Sequence, residues 1–237
     1  MTKWNGENDF ALFKKSVPVT SQEIWPAFYH LHKEKIQVQK EHVAIEKLRR
    51  IINATFKLSN QKGFSLMSLR DLSRATDMSM GSLYNYIGSK SQLAEMIHQF
   101  LPHVFDICIS QQIQNSDAAD GKLQKLIRGH VFISEILQPW FFFAFMETKH
   151  LSRGVKNLAK NNELKSEQLM ESYISEGIKA NIYRDCNLYL SSMMIKALLQ
   201  NWYVKHIKYT AANVSCEDYV DYIEQVINKH LLVENNV

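Results

Sequence analysis

One short segment, from Ser68 to Lys90, constrains the fold most, because signals that start and stop helices follow one another closely along it. Ser68 with Asp71 three residues later is a capping-box variant that starts one helix. Ser79 can cap a second helix, which Gly88 ends, and a third helix begins at Lys90. The segment therefore predicts two short helices joined by a tight turn and followed by a longer helix.

The remainder of the chain also favours helices. Only 8 Gly and 4 Pro occur among 237 residues, and 46% of the residues are hydrophobic. Apolar residues recur at helical spacing, and no segment shows the alternation that is typical of a strand. We therefore expect an all-α protein, long enough for one large domain or two smaller ones.

Positive charge is concentrated around the short helices. Residues 31–90 carry eleven Lys and Arg against five Asp and Glu, a balance of +6, whereas the whole chain has a net charge of +4. A basic head on a slightly acidic remainder suits binding to a polyanion. Two short helices with a tight turn match a helix-turn-helix, whose second helix enters the major groove of DNA.

The second short helix carries side chains that suit this contact. Gly81 lets the backbone approach a groove wall, and Met80 can touch a thymine methyl group. Ser82 and Asn85 can form hydrogen bonds with bases or phosphates. We therefore predict that this helix is the recognition helix of a DNA-binding domain.

The segment "GFSLMSLRDLSRATDMSMGSLYNYIGSKSQL" resembles the DNA-binding head of the TetR family of transcriptional regulators. The resemblance covers about residues 47–93. It implies a helix-turn-helix regulator that binds DNA as a two-fold dimer, paired through its last two long helices. The positions that carry it are Gly63-Phe64, Ser68, Met78-Ser79, Gly81-Ser82-Leu83-Tyr84, Ser89-Lys90 and Leu93.

The same resemblance extends the set of DNA contacts. In the family, the position of Arg70 can reach a base or a phosphate, and basic residues often stand where Arg49 and Arg50 lie. The tyrosines and Lys90 can donate to phosphates. The predicted DNA-binding residues are Arg49, Arg50, Ser68, Arg70, Ser79, Met80, Gly81, Ser82, Tyr84, Asn85, Tyr86 and Lys90.

The sequence departs from the family pattern at a few positions. Asp77 stands where the family usually has Gly at the turn, and Asp tolerates the left-handed conformation at modest cost. Ser73 stands where Ala is usual, and we expect its hydroxyl to bond back to its own helix. Ile87 replaces a Phe.

We expect three regions: a partly helical N-terminal extension at residues 1–42, a three-helix helix-turn-helix DNA-binding domain at 43–100, and a helical ligand-binding and dimerisation domain at 101–237. Residues 1–20 show no helical period and predict a loose arm. Pro102 should kink or restart the helix that begins at Lys90. The extension also holds an aromatic set suited to docking on protein and a basic set suited to the DNA backbone: Trp25, Phe28, Tyr29, Lys33, Lys35 and Lys40.

The last two long helices, one capped by Asp185 and the other by Ser215 with Asp218, each carry an apolar stripe. A single short recognition helix reads only a few base pairs, so we expect a homodimer on a palindromic operator, with the stripes as its seam. The alternative that the stripes pack inside one subunit stays open. The stripes comprise Leu188, Ser192, Ile195, Leu199, Trp202, Val220, Ile223, Ile227 and Leu231.

Aromatic residues of the middle helices suit a pocket for a small apolar or aromatic effector, although aromatic helices are also ordinary core. An effector that prefers a state with wrongly spaced heads would lower DNA affinity and lift repression. The predicted lining is Phe105, His130, Ile133, Trp140, Phe141, Phe143, Phe145, Tyr173 and Met194.

Other functional classes have less support. The chain lacks the motifs of phosphate loops, zinc proteases and serine hydrolases, and its three cysteines lie far apart, so we expect no enzyme, no cofactor and no metal site. We find no signal peptide and no sufficiently long apolar run, and therefore expect a cytoplasmic protein without a membrane partner. The alternative function is a DNA-binding architectural or protein-interaction factor with no small-molecule effector, which a solidly packed body would favour.

Overall fold

The computed structural model describes residues 4–19, 23–38, 40–114 and 117–233 of the chain. In this described part the regular structure is helical, and no β-strand is formed. The prediction of an all-α protein is therefore confirmed. The α-helices are α1 (Phe10–Ser16), α2 (Ile24–His32), α3 (Glu41–Lys62), α4 (Leu69–Thr76), α5 (Met80–Tyr84), α6 (Lys90–Cys108), α7 (Ala119–Ile136), α8 (Gln138–Glu147), α9 (Arg153–Lys179), α10 (Leu188–Val204), α11 (His206–Ala211) and α12 (Cys216–Leu231).

These helices group into two compact units. The head unit takes in residues 19–104 and 139–160, and so contains α2 to α5 with most of α6 and α8. The body unit takes in residues 4–18, 105–138 and 161–233, and so contains α1, α7 and α10 to α12 with most of α9. The N-terminal residues are thus shared between the two units.

The short helices of the head unit begin where the sequence predicts, but α5 ends at Tyr84, earlier than the predicted end at Gly88. The Ser68 hydroxyl accepts the Asp71 N–H at 3.1 Å, and the Asp71 carboxylate accepts the Ser68 N–H at 2.9 Å, which completes the capping box. Gly63 ends α3 with φ 80°, and Asp77 ends α4 in the left-handed conformation with φ 52° and ψ 44°. These local signals place α4 directly before the turn that leads into α5.

Trp140 lies in an aromatic core of the head unit. The centroid of its ring is 5.0 Å from that of Phe100, 5.2 Å from Phe56 and 5.3 Å from Phe28. Aromatic pairs at such separations stabilise a core beyond the area that they bury. Phe143 is also buried, with its ring 5.5 Å from that of Phe56. Both residues, which the sequence assigned to an effector pocket, are core residues of the head unit.

The first described residues pack within the body unit, so the expectation of a loose arm is wrong for them. Asp9 caps α1 by accepting the Leu12 N–H at 2.7 Å. Trp4 and Phe13 are fully buried, and their rings lie 5.0 Å apart and within 6.3 Å of Phe132. A helix of seven residues is too short to display a hydrophobic period, so this packing left no pattern in the sequence.

Two local expectations are also corrected. The Ser73 hydroxyl donates to the Met78 carbonyl across the turn rather than to its own helix, and so supports the turn directly. Helix α6 runs through Pro102, so the alternative that it restarts there is wrong, whereas a kink at Pro102 stays a prediction. Proline removes one backbone donor, but Phe100 and Val104 on either side of it are fully buried, and this packing holds the helix together.

A nearly buried ion pair joins α7 to α12 in the body unit. Arg128 donates from Nε and Nη2 to the two carboxylate oxygens of Glu224, each at 2.7 Å. Its Nη1 donates to the Gly6 carbonyl at 2.6 Å. Bidentate pairing of this kind fixes the relative orientation of the two side chains and adds a charge-assisted attraction between them. The N-terminal residues are therefore held by hydrogen bonding as well as by aromatic packing.

Helices α7, α10 and α12 bury the stripes that the sequence assigned to a dimer seam. Trp202, for example, donates from Nε1 to Glu135 of α7 at 3.1 Å. A side chain that is already buried in its own subunit has no surface left to cover with a second copy, so these stripes form the core of the body unit. Leu188 is partly exposed, and the other eight residues are buried: Ser192, Ile195, Leu199, Trp202, Val220, Ile223, Ile227 and Leu231.

Candidate DNA-binding surface

The predicted recognition helix, α5, is fixed at its start and along one side. Ser79 caps it by accepting the Ser82 N–H at 3.1 Å, as the sequence predicts. Leu83 is fully buried and anchors the helix on the head unit. Because a helix that buries one side presents the other to solvent, the remaining residues of α5 are available to a partner.

The outward side of α5 gathers most of the predicted base contacts. Tyr84 is 46% exposed, Gly81 and Asn85 are exposed, and Met80 and Ser82 are half-buried. Apart from its chain neighbours and the backbone of its own helix, no heavy atom of the described residues lies within 4 Å of the position that a Cβ would take at Gly81, so the backbone is open to close approach. One short surface thus presents hydroxyl, amide and thioether groups, which suit base edges and phosphates.

Lys90 is placed differently from the prediction that it contacts a phosphate. Its Nζ donates to the carbonyl oxygens of Phe64, Ser65 and Met67, each at 2.8 Å. An ammonium group has three N–H donors, and these three bonds use them all. Desolvation lowers the pKa of the Lys90 ammonium from its ordinary value. Lys90 therefore holds the loop between α3 and α4 against the start of α6.

Three other predicted contacts are engaged inside the head unit. The Ser68 hydroxyl donates to Asp71 at 2.7 Å within the capping box. Arg50 donates from Nη2 to the Thr76 carbonyl at the end of α4. Tyr86 is only 4% exposed, and burial raises the pKa of its phenol. The prediction that Tyr86 presents its hydroxyl to a phosphate is corrected, because its ring belongs to the core.

The capping box also carries the main electrostatic interaction of α4. Lys62 lies 2.6 Å from the Asp71 carboxylate. The hydrogen bond from Lys62, followed by those from Ser68, holds the pKa of Asp71 well below its ordinary value. The carboxylate therefore stays charged, and the start of α4 stays capped, throughout the neutral range.

Arg49 and Arg70 lie on the surface, where they are accessible to DNA. Arg70 is exposed, and Arg49 Nη1 lies 3.7 Å from the Glu46 carboxylate. Beside Arg49 runs an open groove of about 570 Å³. Polar residues recur every four positions along it, which is a helical spacing. The sequence prediction did not identify this groove because it used the spacing of apolar residues only. The groove is lined by Glu46, Arg49, Arg50, Asn53, Ala54, Lys57, Leu58, Gln61 and Ala75.

The residues predicted to line an effector pocket belong to both units. In the body unit, the His130 ring lies 5.9 Å from Phe105 and stacks on Tyr203 at 6.3 Å. Burial lowers the pKa of His130 to about 3, so its imidazole is neutral at physiological pH. The head unit holds Trp140, Phe141, Phe143 and Phe145, and the body unit holds Phe105, His130, Ile133, Tyr173 and Met194.

The last two long helices present a different apolar face to solvent from the one predicted. Residues three or four positions apart share a helix face, so each helix carries one outward strip. An exposed apolar strip is a candidate interaction surface. The two strips, which we call the outward apolar face, comprise Tyr189 (58% exposed), Leu190 (63%) and Met193 (37%) of α10, and Tyr222 (67%) and Val226 (37%) of α12.

Among the described residues, no group of His, Cys, Asp and Glu side chains is arranged to hold a metal ion. The helices in that part of the chain also include none with the length and apolar character needed to span a membrane.

Known proteins share both sequence and fold with this chain. Residues 51–97 match the profile of the family described as "Bacterial regulatory proteins, tetR family". The HTH-type transcriptional regulator HbdR of Aromatoleum sp. (strain CIB) is 22% identical over 161 residues, which cover 68% of this chain and 70% of HbdR. The family match spans the end of α3, the two short helices and the start of α6.

Solved structures extend the likeness to the fold of most of the chain. A bacterial regulatory protein of the tetR family from Rhodococcus RHA1 superposes with a TM-score of 0.69 at 16% identity, over 79% of this chain and 98% of that one. AibR, solved with isovaleryl coenzyme A and operator DNA, gives a TM-score of 0.66 at 16% identity, over 78% and 97% of the two chains. The architecture of an N-terminal helix-turn-helix domain with a C-terminal helical domain is common to them.

Proposed function

We propose that the chain is a TetR-family transcriptional regulator and acts as a dimeric repressor that binds a palindromic operator and is released by a small apolar or aromatic effector. The observation that carries the proposal is the outward side of α5, where Ser82, Tyr84 and Asn85 lie opposite the buried Leu83. Such a helix reads base edges in the major groove. A repressor of this kind works in the cytoplasm, where bacterial chromosomal DNA lies.

The outward apolar face supports the dimeric part of the proposal. A second copy of the chain, placed about a two-fold axis, would cover Leu190 and Tyr222 with the same residues of its partner. The pairing would set the spacing of two recognition helices, which for adjacent major grooves is about 34 to 36 Å. A palindromic operator follows from that symmetry.

The body unit supplies the proposed effector site. Phe105, His130 and Tyr203 form a group of rings there, and Lys196 of α10 donates to Ser166 at 2.6 Å. Burial lowers the pKa of Lys196 from its ordinary value. Apolar and aromatic walls with a few polar groups suit a small organic ligand. Since AibR was solved with an acyl thioester, acyl groups are among the first effectors to test.

A footprinting experiment tests the central proposal. Purified protein is incubated with the intergenic DNA beside its own gene, and protection is mapped at several salt concentrations. We expect a palindromic footprint that weakens as salt rises, because phosphate contacts release counterions. Failure to protect any such fragment at low salt would contradict DNA binding.

A second experiment tests the effector. Compounds that raise the melting temperature are added to the protein–DNA complex, and we expect at least one to lower DNA affinity by a factor of about 5 to 150. If every stabilising compound leaves the affinity unchanged, the effector part is wrong. An architectural or protein-interaction factor that keeps the same DNA-binding head then becomes the better account.

A further inference from the structure

We propose that the link after α2 positions the recognition helix on DNA, with the main-chain N–H of Gln37 as the group that holds the C-terminal end of α5. The inference rests on the proposed function and adds a positioning element to it. Helix α2 and this link belong to the N-terminal extension, outside the segment matched by the family profile.

Helix α2 is built into the head unit through contacts with α6. Phe28 is fully buried, and its ring lies 5.2 Å from that of Phe100. His32 is buried as well, with Nε2 3.0 Å from the Met96 carbonyl. A carbonyl oxygen only accepts hydrogen bonds, so His32 carries its proton on Nε2. Helix α2 of the extension therefore has a fixed place in the head unit.

The link that follows α2 is fixed to the same helix. Lys35 donates to Glu95 at 3.3 Å and to Gln99 at 3.1 Å, both on α6. Ile36 comes next and is buried, with an extended backbone of φ −104° and ψ 122°. These contacts leave little freedom for the residue after Ile36, whose backbone is directed at α5.

Gln37 donates its main-chain N–H to the carbonyl of Asn85 at 2.9 Å. Asn85 is the residue that ends α5, and the last carbonyls of a helix have no partner within it. A helix of five residues has little rigidity of its own, so a hydrogen bond at its end restricts where the exposed Asn85 side chain can point. The bond thereby ties a predicted base contact, through Gln37 and Lys35, to α6.

Two substitutions of Gln37 distinguish the effect of its main-chain N–H from the effect of its side chain. Gln37→Pro removes the N–H, and the extended backbone of Ile36 is the one that a residue before proline requires. Gln37→Ala keeps the N–H and removes the exposed side chain. For Gln37→Pro we expect operator affinity to fall about fivefold, the effect of losing one hydrogen bond. Affinity for unrelated DNA and the slope of log affinity against log salt should stay unchanged, since no charge is altered.

Amide hydrogen exchange gives a readout that does not depend on DNA. We expect Gln37→Pro to raise exchange at residues 80–87 while the amides of the body unit keep their rates, and Gln37→Ala to match the unsubstituted protein. If Gln37→Pro does not fold, Ile36→Ala tests the same link by loosening its buried anchor, with the same expected exchange pattern.

The outcomes separate the inference from the function on which it rests. If Gln37→Pro has the same operator affinity and the same amide exchange rates as the unsubstituted protein, the positioning role alone is overturned. Equal losses in operator and unrelated DNA, or a loss in Gln37→Ala as large as in Gln37→Pro, would also overturn it. If the unsubstituted protein bound no DNA at all, the proposed function and the positioning role would both be wrong.

Discussion

At the scale of the residue, Lys90 shows that a matched motif position does not fix what the side chain does. The sequence predicts that it contacts a phosphate, yet its three donors are directed at three main-chain carbonyls of its own head unit. An ammonium so engaged would have to give up these bonds before it could contact DNA. Arg70, by contrast, is exposed. Substitutions at the two positions can therefore be compared for their effects on stability and on DNA binding.

We expect Lys90→Gln to lower the melting temperature without changing the salt dependence of DNA binding. Arg70→Gln should do the reverse, reducing the slope of log affinity against log salt by about 1, because a phosphate contact releases a counterion. Thermal melting and binding titrations at several salt concentrations measure both effects. A reduced slope in Lys90→Gln, with its stability intact, would restore the phosphate contact that the sequence predicted.

The burial of His32 predicts that the free energy of unfolding falls in acid. Burial is the main cause that lowers its pKa from 6.5 to about 4, so the folded protein holds a neutral ring where the unfolded chain takes up a proton. The contribution of this neutral ring is complete above pH 6.5 and falls as the pH drops towards 4, by about 1.4 kcal/mol per pH unit in the steep part.

Melting temperatures at pH 7 and pH 5 test this interpretation of His32. His32→Gln keeps a donor for the Met96 carbonyl but does not titrate, so its melting temperature should change less between the two pH values than that of the unsubstituted protein. An equal pH dependence in the two proteins would contradict the argument.

At the scale of the element, α5 and the residues that follow it place two tyrosines in opposite environments. Tyr84 is 46% exposed on the outward side of the helix, whereas Tyr86 is 4% exposed in the core. Tyr84→Phe should therefore weaken operator binding by about fivefold, the effect of one lost hydrogen bond. Tyr86→Phe should leave it unchanged. Gel-shift titrations compare them, and a larger effect of Tyr86→Phe would reverse the assignment.

The limits of these elements were largely predictable because their signals are local. The capping boxes at Ser68 and Ser215 need only a carboxylate three residues later, and both form. The cap of α10 was misplaced by two positions, since Asn187 accepts the Leu190 N–H at 3.0 Å where Asp185 was expected. Contacts between distant segments left no comparable signal. Nothing near Gln37 indicates that its N–H meets Asn85.

At the scale of the whole molecule, the sequence indicates amphipathic helices but not which apolar side faces inward. Both α10 and α12 have two apolar sides. The side with the more regular helical spacing was predicted to be the dimer seam, and it is the side that the body unit buries. Which side is buried depends on where α7 packs against the two helices, and the sequence of α10 or α12 does not specify that position. The homodimer therefore stays a prediction, and the outward apolar face replaces the predicted seam.

The outward apolar face makes the oligomeric state a direct test of this reassignment. Leu190→Glu places a charge where a second copy would have to desolvate it, so we expect the protein to become monomeric in sedimentation experiments. Operator affinity should fall by more than tenfold, because each monomer then binds only one half-site. Leu164→Glu is the matched control, since Leu164 is 42% exposed on α9, outside this face, and should leave both measurements unchanged. A dimer that persists in Leu190→Glu with full operator affinity would show that another surface pairs the subunits, because a buried and unpaired carboxylate at the centre of a two-fold contact would be strongly destabilising.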